Sequence, residues 1–180
     1  MKYKLGEKHK DCSLYRVIAI ENFGDVKTGD VGGYISSEAN LSQPGDAWVY
    51  GNAQIYGDAR VHGNAQIYGN AQIYGNARVH GNAQIYGDAQ IYGDALVYGD
   101  AWVYGDARVY GNAQIYGNLK IDYTPLNIIG LKYSVTIFQK SSQIQAGCYL
   151  KTVKEWEGIT QFDDQDFLDE WKNKILEFAT

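Results

Sequence analysis

GDAWVY-GNAQIY-GDARVH, residues 45–62, opens the run that decides the fold. The pattern Gly-[Asn/Asp]-Ala-x-[Ile/Val]-[Tyr/His] continues without an insertion to residue 116, twelve copies in all. A strict short period of this kind marks a solenoid, because one unit is too small to bury a face alone and must stack on its neighbours. Within a unit, Ala and Ile/Val alternate with x and Tyr/His, the period-2 signature of a strand with one buried face. Ala and Ile/Val are therefore expected inside, and x and Tyr/His outside. Gly followed by Asn or Asp tolerates positive φ and lets the chain turn a corner every six residues.

The longer period is set by the exceptions. Arg60-Val61-His62 recurs as Arg78-Val79-His80, eighteen residues on, and Trp48 recurs at Trp102, three times that distance. Three hexads per coil fits both, and predicts a triangular prism of four coils, about 20 Å tall at ~4.8 Å per coil. Ile55-Tyr56-Gly57-Asp58-Ala59-Arg60 and its fellows resemble the hexapeptide repeat of left-handed β-helix proteins, with a branched aliphatic first and a small residue fifth. That resemblance covers roughly residues 14–118. It implies a mainly β, left-handed parallel β-helix, commonly trimeric, in a family that includes acyltransferases and gamma-class carbonic anhydrases. The variant Gly-Asn-Ala-x-Val-Tyr, preceded by Gly29-Asp30-Val31-Gly32-Gly33-Tyr34 and Asn40-Leu41-Ser42, is similar to uncharacterised hexapeptide-repeat proteins of bacteria and their phages. A fold of this kind hosts many functions, so activity has to be argued from side chains.

Three segments are expected: an N-terminal lead-in and capping strand (1–34), the β-helix (35–121) and a C-terminal unit (122–180). Residues 1–13 are polar and basic and read as a loose lead-in, whereas 14–20 have the composition of a strand. That strand is expected to cover the open lower end, since an uncapped coil exposes its core and unpaired backbone groups. The glycines of residues 24–33 precede no helical segment, which excludes a phosphate-cradling loop there. Ile35, Ala39 and Leu41 already have the hexad spacing, and two extra residues around Pro44 make a small corner loop. After Gly117, Asn118-Leu119-Lys120-Ile121 reads as the closing of the last coil. Residues 133–138 and 144–150 read as a β-hairpin. Asp163 is a helix N-cap, with Phe162 and Phe167 as its hydrophobic staple. Phe167, Leu168, Trp171, Ile175 and Phe178 then form one apolar stripe, expected to pack on the hairpin or the top coil.

The net charge of −5 over 180 residues argues against a general nucleic-acid or anionic-membrane binder. No apolar run approaches the ~20 residues that span a bilayer. The first residues lack the apolar centre of a signal peptide, so a cytoplasmic protein, of a bacterium or a phage-infected host, is expected. Cys12 and Cys148 are far apart with no partner spacing, which suggests reduced thiols and neither a zinc site nor a disulfide framework. No metal and no cofactor are expected.

Three outward faces follow from the eighteen-residue step. One carries Trp48, Gln66, Gln84 and Trp102 beside a tyrosine column; a second carries Gln54, Gln72, Gln90 and Arg108 beside another. Such ladders of outward tyrosine suit either stacking up the column or burial in a homotrimer. The third face departs from the rule: Arg60, Arg78, Leu96 and Gln114 stand beside His62, His80, Tyr98 and Tyr116. Two arginines facing each other at about 5 Å are unfavourable without a counter-charge. A phosphate or carboxylate would bridge them, flanked by His62 and His80, with Tyr98 placed to stack on a base. The blander account has Asp58 and solvent neutralising the pair. The expectation is a non-catalytic binding or scaffold protein for a small phosphorylated, nucleotide-like ligand or a host protein. The family resemblance implies one alternative, an acetyl-CoA-dependent acyltransferase with His62 or His80 as general base. Against it, the uninterrupted hexads leave no loop for an acyl carrier. A second alternative is a phage inhibitor of a host defence factor, contacting its target through the C-terminal unit or the corners bearing Asp88, Asp94, Asp100 and Asp106. Zinc chemistry of the carbonic anhydrase kind needs three histidines, and the repeat supplies only His62 and His80.

Overall fold

A computed structural model describes residues 1–128, 131, 133–147, 149–160 and 165–179 (of residues 169 and 178, the backbone alone). The hexads form a parallel β-solenoid, each contributing a two-residue strand made of x and Ile/Val. Every such strand pairs in register with the one eighteen residues away: Gln66 with Gln84, Ile67 with Ile85, Arg60 with Arg78, Val61 with Val79. The strands sort into three sheets, one per face, as three hexads per coil require. Amides of one coil donate to carbonyls of the next, for example Gln66 N to Ala83 O at 2.9 Å and Tyr68 N to Ile85 O at 2.8 Å. The inward Ala and Ile/Val columns are buried throughout, each Ile or Val contributing about 1.5–3 kcal/mol. Corner side chains add a polar ladder in which asparagine donates upward and aspartate accepts: Asn70 to Asp88, Asn76 to Asp94 and Asn82 to Asp100, each 2.9 Å.

The lower end is closed by more chain than the composition suggests. β1 (Tyr3–Lys8) pairs antiparallel with β2 (Tyr15–Ala19), and β2 antiparallel with β3 (Val31–Ile35). β3 then pairs in parallel with the Gln54–Ile55 strand, so the cap continues one solenoid face as a seven-stranded sheet. Residues 3–8 are thus a strand and not a loose lead-in. Polar composition misleads here because the polar side chains are used to end the coil. Lys2 Nζ donates to Gly45 O and Ala47 O, both 2.8 Å; Asn40 Nδ2 donates to Gly57 O and Ala59 O, both 2.9 Å. Arg16 Nη1 donates to Gly32 O at 2.8 Å and Gly51 O at 2.7 Å. One coil up, the carbonyls equivalent to those held by Lys2 accept backbone amides from below, Gly63 O from Ala47 and Ala65 O from Trp48. Side-chain donors therefore replace the missing coil and leave no orphaned acceptors at those corners. Burial drives the Lys2 pKa down to about 8, against the pull of Asp46. Trp48, at an outward position, is closed over by the edge-on rings of Phe23 (5.3 Å) and Tyr3 (6.3 Å).

A second compact unit comprises Asn112–Gln114 and Pro125–Thr180. It contains a four-stranded antiparallel sheet, Leu126–Ile128, Val135–Phe138, Gln143–Ala146 and Tyr149–Thr152. The expected hairpin is present, but its second arm breaks at Gly147, φ +56°, into two strands. α1 (Val153–Gly158) was not expected from the pattern; it starts on a capping box in which Thr152 accepts from Glu155 N and Glu155 reaches back to Thr152 N. The stripe of α2 (Gln165–Ala179) packs on the sheet, Phe167, Leu168 and Ile175 meeting Val135, Ile137, Ile144 and Trp156. Cys148, Phe162, Asp163 and the Phe178 side chain lie outside the described residues.

Candidate anion-binding groove

Arg60 and Arg78 occupy equivalent outward positions on adjacent strands of one face, and both are exposed. Two residues further on, at the corner, His62 and His80 stack face to face, centroids 4.9 Å apart and planes within 4°. Tyr98 continues the column on His80 at 5.0 Å, and Tyr116 on Tyr98 at 5.2 Å. The repeat dictates this: hexads in register one coil apart superimpose their corresponding side chains.

Below the column the regularity stops. Leu41 bridges to Val61, an offset of twenty residues in place of eighteen, and Ser42 N donates to Val61 O at 2.9 Å. The two extra residues bulge as the corner loop around Pro44, where Ser42 Oγ donates to Pro44 O at 3.1 Å. Loop and ladder enclose an open groove of about 600 Å³. Arg60, His62 and Arg78 line it from the ladder; Glu38, Leu41 and the loop residues Ser42, Gln43 and Pro44 line it from the coil below. His80 and Tyr98 extend the ring column above the groove and do not line it. The expected cluster is thus assembled in part. Glu38, Ser42 and Gln43 were not singled out from the sequence, although the twenty-residue offset carries the signal.

Electrostatically the groove wall is unbalanced. Among the described residues neither Arg60 nor Arg78 has a carboxylate within 4.0 Å, so Asp58 does not neutralise them by an ion pair. His80 has its pKa lowered from 6.5, by burial first and by His62 second, which keeps it neutral at pH 7. The face therefore presents two guanidinium groups to solvent, beside a His80 imidazole that is held neutral at pH 7. Such an arrangement suits a multivalent oxyanion, which two guanidinium forks hold by charge-assisted hydrogen bonds. Among the described residues no group of three or more His, Cys, Asp or Glu side chains is placed to hold a metal ion. None of the described helices is long and apolar enough to cross a membrane.

Parallel in-register rungs, six-residue units and a three-strand coil define the class: a β-solenoid related to the hexapeptide-repeat, acyltransferase-fold superfamily. The family model described as the YdcK beta solenoid repeat matches residues 47–63, 53–69, 71–87, 89–105 and 101–117, and these residues form a YdcK-like β-solenoid repeat. A relative named "Uncharacterized acetyltransferase YdcK", from Escherichia coli (strain K12), is 37% identical over 60 residues. The similarity covers 27% of this chain and 18% of the relative's own length.

Proposed function

We propose that the groove binds a phosphorylated, nucleotide-like anion, and that this ligand is an acyl-coenzyme A whose acyl group passes to an amine. One observation carries the reading: two exposed arginines in register, without a carboxylate partner among the described residues, on the wall of a groove of about 600 Å³. The superfamily's acyltransferase fold and the relative's printed name support acyl transfer as the use of that site. Arg60 and Arg78 hold phosphate oxygens. His62, which lines the groove, accepts the proton of the attacking amine as its nitrogen bonds to the thioester carbonyl carbon. The C–S bond then breaks, and the thiolate leaves with that proton. The corner loop supplies the wall that the uninterrupted hexads lack.

Titration calorimetry with coenzyme A and adenosine diphosphate, beside a thiol-release assay with acetyl-coenzyme A and a panel of amines, tests this. Losing charge-assisted bonds worth about 1.5–3 kcal/mol each, the Arg60→Ala, Arg78→Ala double variant is expected to bind at least ~10-fold more weakly. Affinity should rise as the pH falls from 8 to 5, the His80 contribution arriving below pH 6.5. Binding without thiol release would favour the second reading, a non-catalytic binding or scaffold protein, which the loop-free hexads support. Equal binding by wild type and double variant would overturn both.

We also propose a homotrimer, cytoplasmic, with the groove in the cleft between neighbouring prisms. The tyrosine columns support it, although their rings already stack on one another, Tyr56 on Tyr74 at 5.0 Å and Tyr74 on Tyr92 at 4.9 Å. Sedimentation equilibrium should give three times the 20.1 kDa chain mass; a monomer across micromolar concentrations removes the idea.

A further inference from the structure

The lower lining of the groove, on the coil beneath the arginines, is not held by the solenoid alone. The Tyr3 hydroxyl, on β1, donates to Leu41 O and lies 3.1 Å from Glu38 O, and both of those residues line the groove. Gln43, on the corner loop, is fixed through its side chain: Lys2 N donates to Gln43 Oε1 at 2.8 Å, and Gln43 Nε2 donates to Tyr3 O at 3.4 Å. Lys2 Nζ closes the same loop at Gly45 O, 2.8 Å away. Tyr3 itself is fully buried and does not line the groove, so it acts on the groove only through its wall. Burial pushes its pKa up to about 12, and the phenol stays a donor at any working pH.

β1 is also the outermost strand of its sheet, paired on one side only, and its register against β2 slips between Leu5 and Lys8. An outer strand with an irregular ladder belongs to the low-stability end of a fold. We propose that β1 is a latch on the groove: seating of Lys2 and Tyr3 fixes the corner loop and thereby sets the affinity for the anion. The affinity half of this rests on the groove reading above. Coupling between two sites is reciprocal, so an occupied groove must in turn hold β1 more firmly.

Tyr3→Phe is the sharpest test, because it keeps the ring against Trp48 and removes only the hydroxyl. Hydrogen exchange would be followed at the amides of residues 38–45 and of residues 66–91, and binding of adenosine diphosphate would be measured by calorimetry. The latch predicts faster exchange at 38–45, unchanged exchange at 66–91, and roughly 5- to 20-fold weaker binding, a typical coupling between sites. Adding the nucleotide to wild type should slow exchange at residues 3–8. Should Tyr3→Phe fail to fold, Lys2→Met, which removes the two ammonium bonds to Gly45 O and Ala47 O, makes the same measurement. Unchanged exchange at 38–45 in the variant overturns the latch, whether or not wild type binds the nucleotide. Faster exchange there, in a protein that binds no nucleotide, supports the latch and overturns the anion reading.

Discussion

Gly81→Ala is expected to destabilise the solenoid by roughly 2–4 kcal/mol, combining left-handed backbone strain with overpacking. Gly81 turns a mid-stack corner with φ +73°, and an added Cβ would lie 2.8 Å from Gly99 N and 2.9 Å from Gly99 O. Both atoms are backbone of the next coil, and Gly99 O already accepts from Asn82 N at 2.8 Å. The methyl cannot be accommodated without parting two coils at that corner. Gly117 is the internal control. It has the same kind of φ, +71°, but nothing within 4 Å of its Cβ position, so Gly117→Ala should show only the strain, about 1–2 kcal/mol. Urea unfolding of both variants would decide. Equal losses would mean that the spacing between coils does not select glycine, contrary to the close approach of Gly81 to Gly99.

Much of this was legible in the sequence because every hexad repeats the same local instruction. Ala and Ile/Val at alternate positions fix the buried face, glycine fixes the corner, and Arg-Val-His repeating at eighteen fixes three strands per coil. The juxtaposition of Arg60 with Arg78 and of His62 with His80 follows from that number alone. A period of six does not by itself give the hand of the coil; that expectation came from resemblance.

The ends were less legible, for a physical reason. A cap is built once, so no periodicity announces it. Lys2, Arg16 and Asn40 look like ordinary surface residues, yet each satisfies two carbonyls that a further coil would have covered. The second wall of the groove was hidden in the same way. It arises where the spacing lengthens to twenty between Leu41 and Val61, a single departure that pattern matching treats as noise. α1 escaped because six residues are too few to show a helical period, although its Thr152 and Glu155 capping box stood in plain view.

Alkali should unfold the protein more cooperatively than ionisation of isolated tyrosines would. Burial raises the phenol pKa of Tyr3 and Tyr50 to about 12, Tyr50 with a further contribution from Tyr68 and Asp25. Tyr56, Tyr68, Tyr74 and Tyr86 are shifted in the same direction, also chiefly by burial. In the unfolded chain these phenols ionise near pH 10, so above that the folded state holds more protons than the unfolded state. Stability is then fully present below pH 10 and is lost as the pH rises towards 12, with a slope set by the difference in bound protons. Lys2 acts oppositely. Its pKa of about 8 in the fold, against 10.5 unfolded, means that the folded state holds fewer protons between those values and gains stability over that interval. Unfolding midpoints measured from pH 8 to 11.5 should accordingly hold or rise slightly to about pH 10 and then fall by more than one proton's slope. Tyrosinate absorbance should appear with the loss of circular dichroism, and Tyr50→Phe should shallow the fall by up to about one proton. Tyrosinate developing well before the fold is lost would mean that the stacked phenols ionise in place and are not desolvated by their columns.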